Sequence, residues 1–218
     1  MGPEGSGLKL SENNNDFWAL EKCHYRKGLF FVDIGAGDGV TGSNTWMLEK
    51  FYNWNGICVD PNPTWLKSLC GSRDSIICDL AVWNKSGEIL DFNYLKPGRH
   101  EFFGWNLRAG ISSCVGDTAV EFDKHKVFSI TLNDLLDLYS APRNIDYISM
   151  DVEGSESRIL EAFDFEKYNV KLFTIEYNDN QERAKINHTM TSNGYEQVDI
   201  DDSGEDRYVS LTKWNWND

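Results

Sequence analysis

Phe31-Val-Asp-Ile-Gly-Ala-Gly-Asp-Gly39 is the stretch from which the fold can be read. An apolar run meets an acid, three glycines follow at alternate positions, and the next residues can open a helix. This pattern predicts a strand ending in a tight loop, where a ligand lies against bare backbone. Dinucleotides use such a loop with the spacing G-x-G-x-x-G/A, whose small last residue lets helix and strand pack closely. Gly35 and Gly37 fit that spacing, but Val40 stands in the last place.

Outward from the loop, strands and helices alternate. Leu29–Ile34 reads as the first strand, Ser43–Trp54 as a helix and Gly56–Asp60 as a second strand. Pro61-Asn-Pro63 opens a helix through Leu69, and Ser75–Cys78 is a third strand. Glu88–Tyr94 and Val127–Thr131 are further strands. Thr131-x-x-Asp134 then caps a helix through Leu138. Ile145–Met150 and Leu172–Tyr177 are strands, each followed by a helix. Tyr195–Ile200 and Arg207–Thr212 read as an antiparallel pair around the acidic turn Asp201–Asp206. Residues 96–117 form a long glycine- and aromatic-rich loop. Such alternation predicts an α/β fold with a mostly parallel sheet covered on both faces. In these sheets ligands bind beyond the carboxyl ends of the strands. The glycine loop sits at the first such end, and Asp60, Asp79, Asp151 with Glu153, and Glu176 with Asn178 sit at the others.

Composition narrows the partners. Lys and Arg number 21 against 35 Asp and Glu, a net charge of -14. No basic run exceeds two residues, so nucleic acid and anionic membranes are not expected as partners. Five cysteines without C-x-x-C spacing point to reduced thiols and a cytoplasmic setting. Cys58 and Cys78 lie in apolar runs and read as small core residues. Residues 1–7 read as a tag remnant, leaving 8–218 as a single domain.

The glycine spacing and its acids suggest a ligand class. Acid-x-Gly-x-Gly-x-Gly resembles the loop with which Rossmann-like methyltransferases bind S-adenosylmethionine (SAM). Asp33 and Asp38 suit a cationic ligand and would repel a pyrophosphate. Asp60, about twenty residues beyond the loop, is placed to accept ribose hydroxyls, as in either SAM or NAD. Asp79-Leu80-Ala81 falls where adenine would lie, the acid for the exocyclic amine and Leu80 for the ring face. Asp151, Glu153, Glu176 and Asn178 offer hard oxygens for Mg²⁺ or Ca²⁺. Alternatively, they hold the SAM amino group or take a proton from a substrate hydroxyl. A helix-capping role for Glu153 or Glu156 stands beside these.

Taken together, the segments resemble the FkbM-family methyltransferases over roughly residues 29–210. The likeness rests on Val32-Asp-Ile-Gly-Ala-Gly-Asp-Gly39, Val59-Asp-Pro-Asn-Pro63, Thr131-Leu-Asn-Asp-Leu135 and above all Asp151-Val-Glu-Gly-Ser-Glu156. Ile175-Glu-Tyr-Asn178 also fits, although relatives often carry His where Tyr177 stands. The resemblance implies a Rossmann-like SAM-methyltransferase fold with a seven-stranded sheet. It also implies O-methyl transfer to a hydroxyl of a sugar, glycan or secondary metabolite. The expected cofactor site comprises Asp33, Gly35, Ala36, Gly37, Asp38, Gly39 and Asn44 on the loop side. Asp60, Asn62, Asp79, Leu80, Ala81 and Asp151 complete it. Glu153, Glu176 and His100 are the candidate bases; His100 lies in the long loop, with Phe102, Phe103 and Trp105 as stacking surfaces for a sugar. Two rivals stand: a nicotinamide-dependent oxidoreductase and a non-catalytic nucleoside-binding module.

Overall fold

The computed structural model describes residues 11, 13–95, 109–114, 122–199 and 203–211. The first strand, β1 (Phe30–Ile34), is buried almost throughout, as expected of a central strand with both faces covered. It pairs in parallel with β2 (Asn55–Val59) on one side and β8 (Asn144–Met150) on the other. Beyond β2 lies β3 (Ile76–Cys78), and beyond β8 lies β9 (Asn169–Glu176), both parallel. An antiparallel hairpin, β10 (Tyr195–Val198) and β11 (Glu205–Ser210), closes that side, with β11 against β9. The result is the expected seven-stranded sheet, in the order β10-β11-β9-β8-β1-β2-β3. Successive strands step outward in opposite directions from β1 and β8. The crevice between those two is the switch point at which such sheets bind ligands.

Helices cover both faces. The first, α1 (Asn15–Lys22), carries no signal that the sequence reading caught. It buries Trp18, Ala19 and Leu20 against Phe31, Tyr147 and Leu172 of the sheet. The same face receives α2 (Trp46–Tyr52) through Met47 and Leu48, and α3 (Leu66–Ser72) through Leu69. On the opposite face, α4 (Leu132–Leu138), α5 (Glu156–Glu161) and α6 (Asn180–Ser192) pack on Val32, Ile148, Phe173 and Ile175. Thr131 caps α4 as expected, accepting the Asp134 N–H at 3.1 Å. The helix after Pro61-Asn-Pro63 starts three residues past Pro63, because residues 63–65 form a turn.

A second sheet is inserted between β3 and β8. It comprises β4 (Ala81–Val82), β5 (Ile89–Tyr94), β6 (Gly110–Ile111) and β7 (Asp123–Ile130), in the order β4-β7-β5-β6. The two strands read from 88–94 and 127–131 therefore pair with each other, antiparallel, and stand outside the main sheet. Ala81, Trp83, Phe92, Ile111 and Val127 give it a small core of its own, while Val82 and Ile130 join the main core. Among the described residues no helix is long and apolar enough to cross a membrane.

Candidate active site

Register across the main sheet builds the site row by row. Asp33, Ser149, Thr174 and Arg207 are cross-strand neighbours on β1, β8, β9 and β11. Side chains alternate along a strand, so the same face next carries Gly35, Asp151, Glu176 and Glu205. Glu176 and Glu205 are direct partners in the register. A cleft of about 130 Å³ opens over these rows, lined also by Asn13, Ala36, Gly37, Ser43 and Asn44. It lies at the switch point.

The glycine loop explains its own composition. Gly35 has φ +91, and a Cβ there would lie 1.7 Å from the Asp151 carbonyl oxygen. Only glycine permits β1 to approach β8 so closely at the loop. Gly37 also has positive φ (+56), but open space lies where its Cβ would be. Its N–H donates to Asp60 Oδ2 at 2.8 Å, while Asp60 Oδ1 accepts from the Asn62 N–H at 2.8 Å. Burial pushes the Asp60 carboxyl up to about 7, against those two hydrogen bonds.

Two acids expected to face a cation already have partners within the chain. Asp38 accepts from the backbone N–H groups of Val40 and Thr41, at 2.8 and 2.7 Å, and from the Thr41 hydroxyl. Its carboxylate closes its own turn. Asp33 borders the cleft, yet it accepts the Thr45 hydroxyl and has Arg73 at 3.7 Å. Ala36 is buried among residues of the α1-side core. Asn44 bridges the cleft wall: its Nδ2 donates to Ser149 Oγ at 2.9 Å and its Oδ1 accepts from Ser11 at 2.8 Å.

At the β2–β3 end, Asp79 is exposed and Leu80 half-buried. With Asp60 and Asn62 they lie outside the residues that line the cleft. Ala81 departs from expectation. As the first residue of β4 it is 3% exposed and packs in the second sheet's core. Asn62 is 1% exposed, and its Nδ2 has no hydrogen-bond partner. A buried, unsatisfied donor costs about 1–3 kcal/mol.

The other end of the cleft is acidic. Oxygens of Asp151, Glu153 and Glu176 all lie within 4.8 Å of one another. β8 ends at Met150, the bound read from the sequence, so Asp151 and Glu153 lie in the loop beyond it and not in regular strand geometry. There Glu153 adopts φ +62, uncommon for a side-chain-bearing residue. Glu156 holds that loop in place. It is fully buried and accepts from the N–H groups of Val152 and Gly154, each at 2.9 Å. Glu156 stands in the first turn of α5, but its carboxylate bonds the loop before the helix; the Ser157 N–H is taken by Glu182 at 3.0 Å. Gly154 is required too, since a Cβ there would meet Asn178 Nδ2 at 2.7 Å. Glu176 Oε2 and Asn178 Oδ1 are buried without a hydrogen-bond partner. Burial, then the neighbouring Asp151 with which it shares a hydrogen bond, raises the Glu176 carboxyl far above the usual range.

Tyr177, where relatives often carry His, faces the opposite side of the sheet. Its ring packs on the main core and lies under the Arg183 guanidinium at 4.6 Å. His100, Phe102, Phe103 and Trp105 lie outside the described residues. The sequence reading missed Asn13, Asn15, Ser149, Glu205 and Arg73. Glu205 opens β11, inside a stretch read as an acidic turn; its Oε2 accepts from Asn13 at 2.9 Å and from Asn15 at 2.5 Å.

No curated protein matches the chain. Similar solved structures include precorrin-6y C5,15-methyltransferase from Geobacter metallireducens GS-15, 11% identical, covering 89% of this chain and 86% of that one, TM-score 0.45. A methyltransferase from Pyrococcus furiosus is 16% identical over 88% and 80%, TM-score 0.41. A ribosomal protein L11 methylase from Lactobacillus delbrueckii subsp. bulgaricus is 12% identical over 89% and 74%, TM-score 0.42. Likenesses so distant leave the assignment to the sequence family. The methyltransferase FkbM domain matches residues 33–197, from the acid of the glycine loop to β10, and the chain belongs to that family.

Proposed function

We propose that this methyltransferase moves a methyl group from SAM to a hydroxyl of a sugar, glycan or secondary metabolite. The observation that carries the acceptor reading is the pair of buried, unpartnered acceptor atoms, Glu176 Oε2 and Asn178 Oδ1, beside Asp151. Unpartnered oxygens call for donors, and a sugar or polyol offers a separate hydroxyl proton to each.

Family membership implies SAM, and the residues present fit it. The loop Gly35–Gly39 offers bare backbone, Asp60 suits ribose hydroxyls, Asn62 Nδ2 needs an acceptor, and Asp79 with Leu80 suits adenine. When bound, SAM supplies a methyl group already activated on a positively charged sulfur. The chain's own task is to orient the acceptor and receive its proton. Glu176 is the preferred base. Burial and the Asp151 carboxyl beside it raise its carboxyl, and positive charge arriving there favours ionisation. Glu153 is the second candidate. Asn178 orients rather than accepts a proton, since an amide does not titrate.

A divalent cation is a second reading, favoured by the close approach of Asp151, Glu153 and Glu176. Those oxygens with Asn178 would hold it, polarising the acceptor oxygen. Nucleic acid and membranes are not proposed as partners, because the net charge of -14 opposes both.

Calorimetric titration with SAM, S-adenosylhomocysteine and NAD tests the cofactor. Binding of the first two alone supports the reading, and preference for NAD overturns it. Transfer of labelled methyl from SAM to a panel of sugars and polyols tests the acceptor, with an amine panel as the contrary outcome. Activity indifferent to EDTA removes the cation.

A further inference from the structure

We infer that Arg73 is a positioning residue for the cofactor loop, setting from beneath the shape in which Gly35–Gly39 meets its ligand. The inference rests on the SAM reading above. Arg73 directly follows α3, and its side chain is wholly buried. The guanidinium faces four segments at once. Nη1 donates to the Gly39 carbonyl at 3.2 Å and to Ser43 Oγ at 3.3 Å. Nη2 donates to Thr45 Oγ1 at 2.8 Å, and Nε to Glu49 Oε2 at 3.0 Å. Asp33 Oδ2 lies 3.7 Å from Nη1, and the Phe31 ring lies under Cζ at 5.4 Å.

These contacts act on the loop specifically. Ser72 Oγ donates to the Asp38 carbonyl at 3.1 Å, so two successive loop carbonyls are held by two successive residues at the end of α3. Gly39 seats directly on them, since a Cβ there would lie 2.6 Å from Ser72 Oγ and 2.9 Å from Arg73 Cγ. From the other side Asp60 accepts the Gly37 N–H. The loop is therefore clamped between the α3 end and the carboxylate expected to hold ribose. A shift at Arg73 moves Gly39, and with it the Gly37–Asp60 contact.

The fork geometry of arginine matters here. Lysine keeps the charge but presents one compact ammonium, which cannot span Gly39, Thr45 and Glu49 together. The charge has a second use. Glu49 is brought down to about 2: burial opposes ionisation, but Lys50, Ser75, the Asp74 N–H and Arg73 outweigh it. Arg73 also stands beside Asp33, whose carboxyl burial still pushes up against the pull of Arg73 and the Thr45 hydroxyl.

The test is calorimetry with SAM and S-adenosylhomocysteine on wild type, Arg73→Lys and Ile186→Ala. The last removes a fully buried side chain from α6 on the far face and controls for general destabilisation. Arg73→Lys is expected to weaken both ligands about tenfold and equally, the size of one lost charged hydrogen bond. Ile186→Ala is expected to lower the melting temperature with Kd unchanged. Kd within twofold of wild type in folded Arg73→Lys overturns the inference. So does a loss confined to SAM, which would mean a charge effect. If Arg73→Lys does not fold, Thr45→Val, which removes the Nη2 acceptor, takes its place with the same expected direction and the same overturning result. Wild type that binds neither ligand defeats the SAM reading itself, which keeps the two failures distinct.

Discussion

The glycine-loop end and the β8–β9 end of the site carry the same kind of residue in opposite conditions. Around the glycine loop each acid already has internal donors: Thr45 and Arg73 for Asp33, the Val40 and Thr41 N–H groups for Asp38, the Gly37 and Asn62 N–H groups for Asp60. At the β8–β9 end the acids face one another, and Glu176 Oε2 has no donor. Under the proposed function the contrast separates two tasks. A site that recognises an invariant ligand gains from preorganisation, because no group has to move or be desolvated on binding. A site that takes up a proton must keep a lone pair and a perturbed carboxyl in reserve, at a cost in stability.

The largest expected effect tests the shared wall of both ends. Gly35→Ala puts a methyl group against the Asp151 carbonyl, at 1.7 Å. At positive φ no relaxation is cheap, so a loss of about 4 kcal/mol or more is expected in chemical denaturation. A loss below about 1 kcal/mol would mean that β1 and β8 separate freely.

Next comes Glu176→Gln. It keeps the shape but removes the base, so turnover should fall about a hundredfold or more. SAM affinity should change little. Equal losses in both would place Glu176 in cofactor binding and erase the contrast between the ends.

Asp60→Asn is expected to weaken SAM about tenfold, because an amide presents one acceptor oxygen where the carboxylate presents two. The pH profile sharpens this. The folded carboxyl titrates at about 7 against 3.8 for an ordinary aspartate, so the folded state binds the proton more tightly than the unfolded one. Its contribution to stability is full below about pH 4 and is lost as pH rises through about 7. Ribose hydroxyls favour the ionised form, so SAM affinity should rise over the same window and level off above it. Asp60→Asn should flatten that rise; a slope that persists would assign it to another group.

The smallest effect lies away from both ends. Thr131→Ala removes the bond to the Asp134 N–H, and about 1 kcal/mol of stability should be lost with SAM affinity unchanged. A change in affinity would show that α4 reports to the cleft.

Much of this was legible before folding. Local chemistry sets a strand that ends in Gly-x-Gly-x-Gly, a helix that starts at Thr131, and acids at the ends of β2, β3, β8 and β9, because backbone sterics and capping act over a few residues. Pairing was less legible. Residues 89–94 and 123–130 read plainly as strands, yet nothing in them says that they pair with each other and leave the main sheet. Ala81 followed its pairing with β7 into the second core for the same reason.

What only the tertiary structure decided is where each polar side chain spends its hydrogen bonds. Asp33 and Asp38 have the residue type for a cation, but Arg73 and the Asp38 turn itself engage them. Glu205 and Glu176 lie far apart in sequence and become neighbours through the β9–β11 register. Tyr177 is one residue from Glu176, and strand alternation sends it to the other face. The sequence by itself therefore determined the family, the strand that ends in the loop, and the residue types on the sheet's carboxyl edge. Which carboxylates remain available for chemistry depended on partners distant in the chain, because hydrogen-bond saturation is a property of the folded neighbourhood and not of residue type.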